Sequence, residues 1–85
     1  MAIDERKPIG EVVHYFGGVG VAVIKFKTKV KIGTSVHFKG ATTDFEQKLT
    51  SMQLNHKEIK EAGKGKEVGV KVDDRVRVGD EVYEA

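Results

Sequence analysis

The sequence has no cysteine, no tryptophan and a single proline, and these absences exclude several classes of protein. Without cysteine there is no disulfide framework, no thiolate metal site and no thiol nucleophile. The longest apolar run, residues 19–24, is far shorter than the roughly 20 residues of a membrane helix. No hydrophobic signal segment opens the chain, and no G-x-x-x-x-G-K-[ST] phosphate loop occurs. We therefore expect a cytoplasmic protein that binds neither a membrane nor a nucleotide.

The amount of charge permits an anionic partner without requiring one. Charged residues make up 33% of the 85 residues, and the formal net charge is +2. Strong nucleic-acid binders carry a clearer basic excess. One asparagine and two glutamines accompany this high charge, a composition typical of thermophile surfaces. The length predicts one small domain.

One pattern occurs twice, as KVKIGTSVHF at residues 29–38 and as RVRVGDEVYE at residues 75–84. Each copy reads basic, Val, basic, branched aliphatic, Gly, two polar residues, Val and a ring side chain. Gly33 and Gly79 hold the same place in the two copies, where we expect a turn with φ above zero. Similar corners recur when a sheet closes on itself, so the repeat predicts the geometry of a barrel.

The arrangement of apolar residues predicts an all-β fold. Ten glycines argue against helix almost throughout, apart from one helical turn at residues 57–62. Strands are expected at residues 9–16, 19–26, 44–54 and 67–72, with Val36 and Phe38 facing inward in another strand and a bulge near Thr50. We predict a small closed β-barrel of about six strands, formed by residues 9–85 after a flexible leader at residues 1–8.

Three stretches resemble the second domain of elongation factor Tu and the related translational GTPases: VGVAVIKFKTKVKIGTSVHFKG, SMQLNHKEIKEA and GKEVGVKV. Their order and spacing are similar to that family over nearly all of residues 9–83. A similar barrel also ends some collagenase-like peptidases that act on RNA, but this chain most resembles the small free-standing versions. The resemblance implies a β-barrel of the translation-protein type that contacts tRNA or the ribosome. Without the nucleotide domain it implies no GTPase cycle.

Four lysines at alternate positions form a candidate nucleic-acid site: Lys25, Lys27, Lys29 and Lys31. In an extended strand they would face one side at intervals of about 6.6 Å, which is close to the phosphate repeat of an extended single strand of RNA. The alternatives are a solvated face or a charged edge that discourages aggregation. A turn near Thr28 would split the row into two pairs.

Two ring side chains add to this candidate nucleic-acid site. His37 faces outward on its strand and would stack on a base, and Tyr15, beside Phe16 at a loop mouth, would form a stacking platform. Only one of Tyr15 and Phe16 can face outward if the strand pleats. Structural roles are favoured for His14 and His56, and no histidine spacing indicates a metal site.

No nucleophile is paired with a base in the sequence, so we predict that the chain is not an enzyme and uses no cofactor or metal. The resemblance favours a small non-catalytic module that binds tRNA, rRNA or the ribosome. The alternative is a protein-interaction module that docks onto an enzyme or a translation factor lacking this barrel, and an isolated hydrolase is a distant third. Salt distinguishes the first two, because phosphate contacts weaken steeply as ionic strength rises.

Overall fold

The computed structural model describes residues 7–55 and 57–85. All the secondary-structure elements within these residues are β-strands, so the all-β prediction is confirmed. The strands are β1 (Gly10–Phe16), β2 (Val21–Phe26), β3 (Val30–Lys31), β4 (Ser35–Lys39), β5 (Asp44–Lys48), β6 (Met52–Leu54), β7 (Lys57–Ile59), β8 (Glu61–Ala62), β9 (Glu67–Lys71) and β10 (Glu81–Glu84). Eight of them form one sheet in the order β5-β4-β10-β1-β2-β9-β6-β7, and β3 pairs with β8 separately.

The large sheet is an open half-barrel of eight strands, so the predicted closed six-stranded barrel is wrong. Its edge strands, β5 and β7, are not neighbours in the sheet. The side chain of Gln47 connects β5 to the end of β9 instead: its amide group donates to Lys71 O at 2.9 Å, and its Oε1 accepts from Asp73 N–H at 2.7 Å. Alternation of apolar residues indicates which face of a strand is buried, but it does not indicate which strands pair.

The core lies inside the curve of the half-barrel and consists mostly of valine. Every second residue of β4 and β9 is buried, as the alternation in the sequence predicts. The largest fully buried side chains are Phe26, Phe38, Ile24, Leu49 and Met52. Phe38 also stacks on Phe45 of β5, with ring centroids 5.0 Å apart.

Two local predictions differ from the structure. The strand expected at residues 44–54 is divided into β5 and β6, because the chain leaves the ladder at residues 49–51. The helical turn expected at residues 57–62 is absent, and this segment forms β7 and β8, since pairing with other strands overrides a weak local helix preference. The leader predicted for residues 1–8 lies largely outside the described residues, as does His56. The described residues include no helix able to span a bilayer, and the cytoplasmic location stays a prediction.

The repeated pattern forms the same turn twice. Thr34 N–H donates to the carbonyl three residues earlier at 3.1 Å, and Asp80 N–H does the same at 3.0 Å. The third turn residue has φ of 93° at Gly33 and 96° at Gly79. A turn of type II requires a positive φ at this position. The expectation of left-handed glycines in both copies is therefore confirmed.

Each turn also forms hydrogen bonds with a buried residue of a neighbouring segment, Leu49 just after β5 and Val12 in β1. Gly33 N–H donates to Leu49 O, and Gly79 N–H donates to Val12 O, both at 2.8 Å. Leu49 N–H and Val12 N–H each return a hydrogen bond, at 2.9 Å, to the carbonyl that follows the glycine. The repeat thus encodes a turn together with its docking onto the next strand.

The two copies are related by a local two-fold axis. β4 belongs to the first copy and β10 to the second, and they pair antiparallel with His37 opposite Tyr83, which hold the same place in the pattern. β5 flanks β4 on one side, as β1 flanks β10 on the other. The repeat therefore reflects internal two-fold symmetry and not the closure of a barrel.

Candidate functional site

The four lysines of the predicted row do not lie on one strand. Lys25 is an exposed residue of β2, and the chain bends away from that strand at residues 27–29. Lys31 belongs to β3, which is part of the other sheet. Lys29 Nζ lies 3.3 Å from Glu61 Oε1, and Lys31 is the cross-strand partner of the same residue. Lys25 is flanked in the sheet by Glu11 and Glu67. The chain therefore splits the row, and most of its charges lie beside glutamates.

His37 faces the outer surface of β4, but carboxylates hold its ring. Its Nε2 donates a hydrogen bond to Asp44 Oδ1, because a carboxylate can only accept. Its Nδ1 lies 3.7 Å from Glu46 Oε1, and only 18% of the side chain is exposed. Because so little of the side chain is exposed, the ring offers little free surface for stacking on a base.

A bulge in β1 decides which of Tyr15 and Phe16 faces outward. The register of β1 with β2 shifts between Val12 and His14. The extra residue turns the next side chains over. Tyr15 consequently packs against the core, while Phe16 is 54% exposed. The assignment of Tyr15, His37 and the four lysines to nucleic-acid binding stays a prediction.

The β1–β2 hairpin carries an apolar outer surface that the sequence reading did not identify. Phe16 is paired with Val21, and His14 with Val23, on the face opposite the core. The rings of His14 and Phe16 stack with centroids 6.2 Å apart, and Val19 at the tip is 66% exposed. We call these five residues the hairpin patch.

A polar cleft of about 360 Å³ lies at the second copy of the repeat. The β4–β5 hairpin forms one wall, and the segment before β10 forms the other; the lining includes Thr42, Thr43, Phe45, Asp74, Arg75 and Arg77. Asp44 also borders this cleft, but its carboxylate is held by His37. Two guanidinium groups beside two threonine hydroxyls form a surface suited to an oxyanion.

A second cleft of about 670 Å³ lies at the first copy of the repeat. Its lining mixes charges of both signs around one apolar side chain, and consists of Lys31, Ile32, Glu58, Lys60 and Glu61. Among residues 7–55 and 57–85, no three His, Asp or Glu side chains form a group able to hold a metal ion.

Sequence comparison connects most of this chain to part of a larger protein. It is 45% identical over 76 residues to an uncharacterized protease of Methanocaldococcus jannaschii. The match covers 88% of this chain and 19% of that protein, so the chain spans about a fifth of the length of the curated relative. No family model matches the chain.

Solved structures share the whole fold. The selenomethionine variant of the C-terminal domain of a Geobacillus thermoleovorans protein assigned as a U32 peptidase superposes with a TM-score of 0.87. That match covers 93% of this chain and 100% of that domain, at 21% identity. A second structure of the same domain gives a TM-score of 0.86 at 18% identity, covering 100% of this chain and 98% of that domain.

These comparisons overturn the resemblance to elongation factor Tu. Both the sequence match and the structural matches lead to proteins named as peptidases. The stretches that carried the resemblance contain turn glycines and alternating valines, which any small β-domain with these corners requires. Such features report fold and do not identify a family. The prediction of a translation-factor-like RNA-binding module is therefore wrong, and so is the part of its alternative that has the module dock onto a translation factor.

The prediction that the chain is not an enzyme is also wrong as stated. It rested on the absence of a paired nucleophile and base in one short sequence. The relative matched over most of this chain is named a protease, and the matched domains are named as parts of a U32 peptidase. A small part of an enzyme need not carry the reacting groups itself, so their absence from a segment says little about the protein to which the segment belongs.

Proposed function

We propose that this chain is the β-domain of a peptidase of the U32 type and that it packs against the rest of that enzyme. The observation that carries the proposal is the 45% identity over 76 residues to one part of a protein named a protease. The shared fold of the two Geobacillus C-terminal domains supports it. Four-fifths of the relative lie outside the match, and they supply the body against which such a domain would pack.

The hairpin patch is the surface that we assign to this contact. Phe16 and Val19 are 54% and 66% exposed, and the half-buried Val21 and Val23 continue the apolar surface along β2. Contiguous exposed apolar surface of this kind marks interaction sites. An aromatic side chain surrounded by smaller apolar ones is also the usual anchor of such a contact. The outer surface near Lys25 and Lys31 is, by contrast, made of neighbouring lysines and glutamates.

The test is association in trans. The Methanocaldococcus protein would be prepared without the matched region, mixed with this 85-residue chain, and examined by size-exclusion chromatography and calorimetry. We expect a complex that the double variant Phe16→Ser/Val19→Ser weakens by about tenfold or more, the effect of losing an aromatic anchor. Val78→Ser is the matched control, because Val78 is as exposed as Val19 but lies at another turn.

Three results would contradict the proposal. The first is that the wild-type chain fails to associate with the truncated protein in trans. The second is that the hairpin variant binds as well as wild type, which would place the contact on another surface. The third is equal weakening by Val78→Ser, which would indicate nonspecific apolar adhesion. Thermal unfolding of both variants checks that each is folded, and since their side chains are exposed we expect melting temperatures close to wild type.

A further inference from the structure

The two copies of the repeat form equivalent turns, but their edges are covered differently. In the first copy the segment before the turn is strand β3, which pairs antiparallel with β8. Ile32 N–H donates to Lys60 O at 2.8 Å, and Lys29 Nζ lies 3.3 Å from Glu61 Oε1. An acidic extended segment of the chain thus covers the basic edge of the first corner and neutralises it.

The corresponding edge of the second corner has no such cover among the residues that the structure describes. Residues 75–77, which match residues 29–31 in the pattern, pair with no strand. Val76 is buried like its counterpart Val30, so the segment has the same inward and outward alternation. Val78 occupies the place of Ile32, yet within residues 7–55 and 57–85 its N–H has no backbone acceptor.

The arginines of this segment border the polar cleft, and in the described part of the chain neither guanidinium has an ion-pair partner. Two carboxylates also line the cleft, and one oxygen of each already accepts a hydrogen bond. Asp44 accepts a hydrogen bond from His37, and Asp74 accepts one from the backbone N–H of Arg75 at 2.7 Å. No carboxylate of the described residues pairs with either guanidinium, and the planar forks of Arg75 and Arg77 suit the carboxylate of an incoming segment.

We propose that residues 75–78 bind an acidic, extended peptide segment as an added antiparallel strand, in the position that β8 occupies at the first corner. The backbone N–H of Val78 would donate to the added strand, as Ile32 does to Lys60. An acidic side chain of that strand would lie between the two arginines, as Glu61 lies beside Lys29. Main-chain hydrogen bonds give such strand addition its affinity, and side-chain contacts give it specificity. The inference does not rest on the proposed function, since it follows from the asymmetry of the two corners.

The probe is a capped synthetic peptide with the sequence of residues 58–63, EIKEAG, which contains β8. Its control is EIKQAG, which lacks only the central carboxylate. Binding to the 85-residue chain would be followed by titration in two-dimensional NMR. We expect EIKEAG to shift the amide signals of residues 75–78 and to slow hydrogen exchange at Val78 N–H. EIKQAG should bind about tenfold more weakly, because charge-assisted hydrogen bonds to arginine are lost.

Two double variants locate the site. Arg75→Gln/Arg77→Gln should weaken binding of EIKEAG by about tenfold or more, whereas the matched pair Lys29→Gln/Lys31→Gln should leave it unchanged, because β8 already covers that corner. No binding, equal binding of the two peptides, or no loss in the arginine variant would overturn the proposal. Equal loss in the lysine variant would also overturn it, by placing the peptide at the first corner. If a short single-stranded RNA bound these arginines and the peptide did not, the class of partner would be wrong.

Discussion

Replacing Gly33 or Gly79 with alanine should destabilise the domain through backbone conformation alone. Their φ angles are 93° and 96°, and an added Cβ would meet no atom within 4 Å at either position. Steric contact with neighbouring residues therefore adds nothing to the loss. What remains is the cost of holding an L-residue in a left-handed conformation, about 1–2 kcal/mol.

The net loss is smaller, because alanine also restricts the unfolded chain. That restriction offsets about 0.4–1 kcal/mol of the strain, so we expect each variant to lose close to 1 kcal/mol. In a domain of this size such a loss lowers the melting temperature by about 4–8 °C. Gly33 and Gly79 occupy equivalent turns with matching hydrogen bonds, so both variants should lose the same amount.

Thermal unfolding followed by far-UV circular dichroism measures the effect. Gly18→Ala is the control, because Gly18 also lies in a turn and has open space around it, but its φ is outside the left-handed region. Gly33→Asn should lose less than Gly33→Ala, since asparagine tolerates positive φ, as Asn55 does in this chain at 52°. If the alanine variants at both turns melt with wild type and with the Gly18 variant, the account of the repeated turn is refuted.

Two further substitutions test contacts between distant parts of the chain. Gly40→Ala should destabilise by about 1–3 kcal/mol, because its Cβ would lie 2.6 Å from Cγ of the buried Asp80; a double-mutant cycle with Asp80→Ala should show strong coupling, and additive losses would contradict the clash. Gln47→Leu should destabilise the domain by about 1–3 kcal/mol, because Lys71 O and Asp73 N–H lose the partner they have in Gln47. This loss should appear as a lower urea midpoint, and an unchanged midpoint would show that the side chain does not hold β5 to β9.

The parts of the fold that could be predicted from the sequence are local. Burial of Val36 and Phe38 followed from alternation of apolar residues, and positive φ at the two turn glycines followed from a repeated pattern. Strand order is a property of the whole chain. Gln47, whose side chain spans the opening of the half-barrel, is a polar residue in a polar stretch, and its burial depends on residues more than twenty positions away.

The candidate site was harder to predict for a similar reason. One inserted residue near Val13 decides that Phe16 and not Tyr15 faces outward, and a bulge leaves little trace in composition. The lysines were singled out because they alternate, yet the chain bends within their row. Arg75 and Arg77 were overlooked although the repeat aligns them with Lys29 and Lys31. The alignment of the two copies is therefore the sequence signal that identifies them.

Because the two copies of the repeat are related by two-fold symmetry, the edges of the two corners can be compared directly. A basic edge on a small domain is unremarkable by itself, because such edges also discourage aggregation. Here the same ten-residue pattern supplies an internal comparison. The first edge is covered by β8, part of the segment between β6 and β9, and the second has no equivalent cover among the described residues. The two edges have the same turn and the same buried valine, so they differ in the strand that covers the first edge and has no counterpart at the second among the described residues.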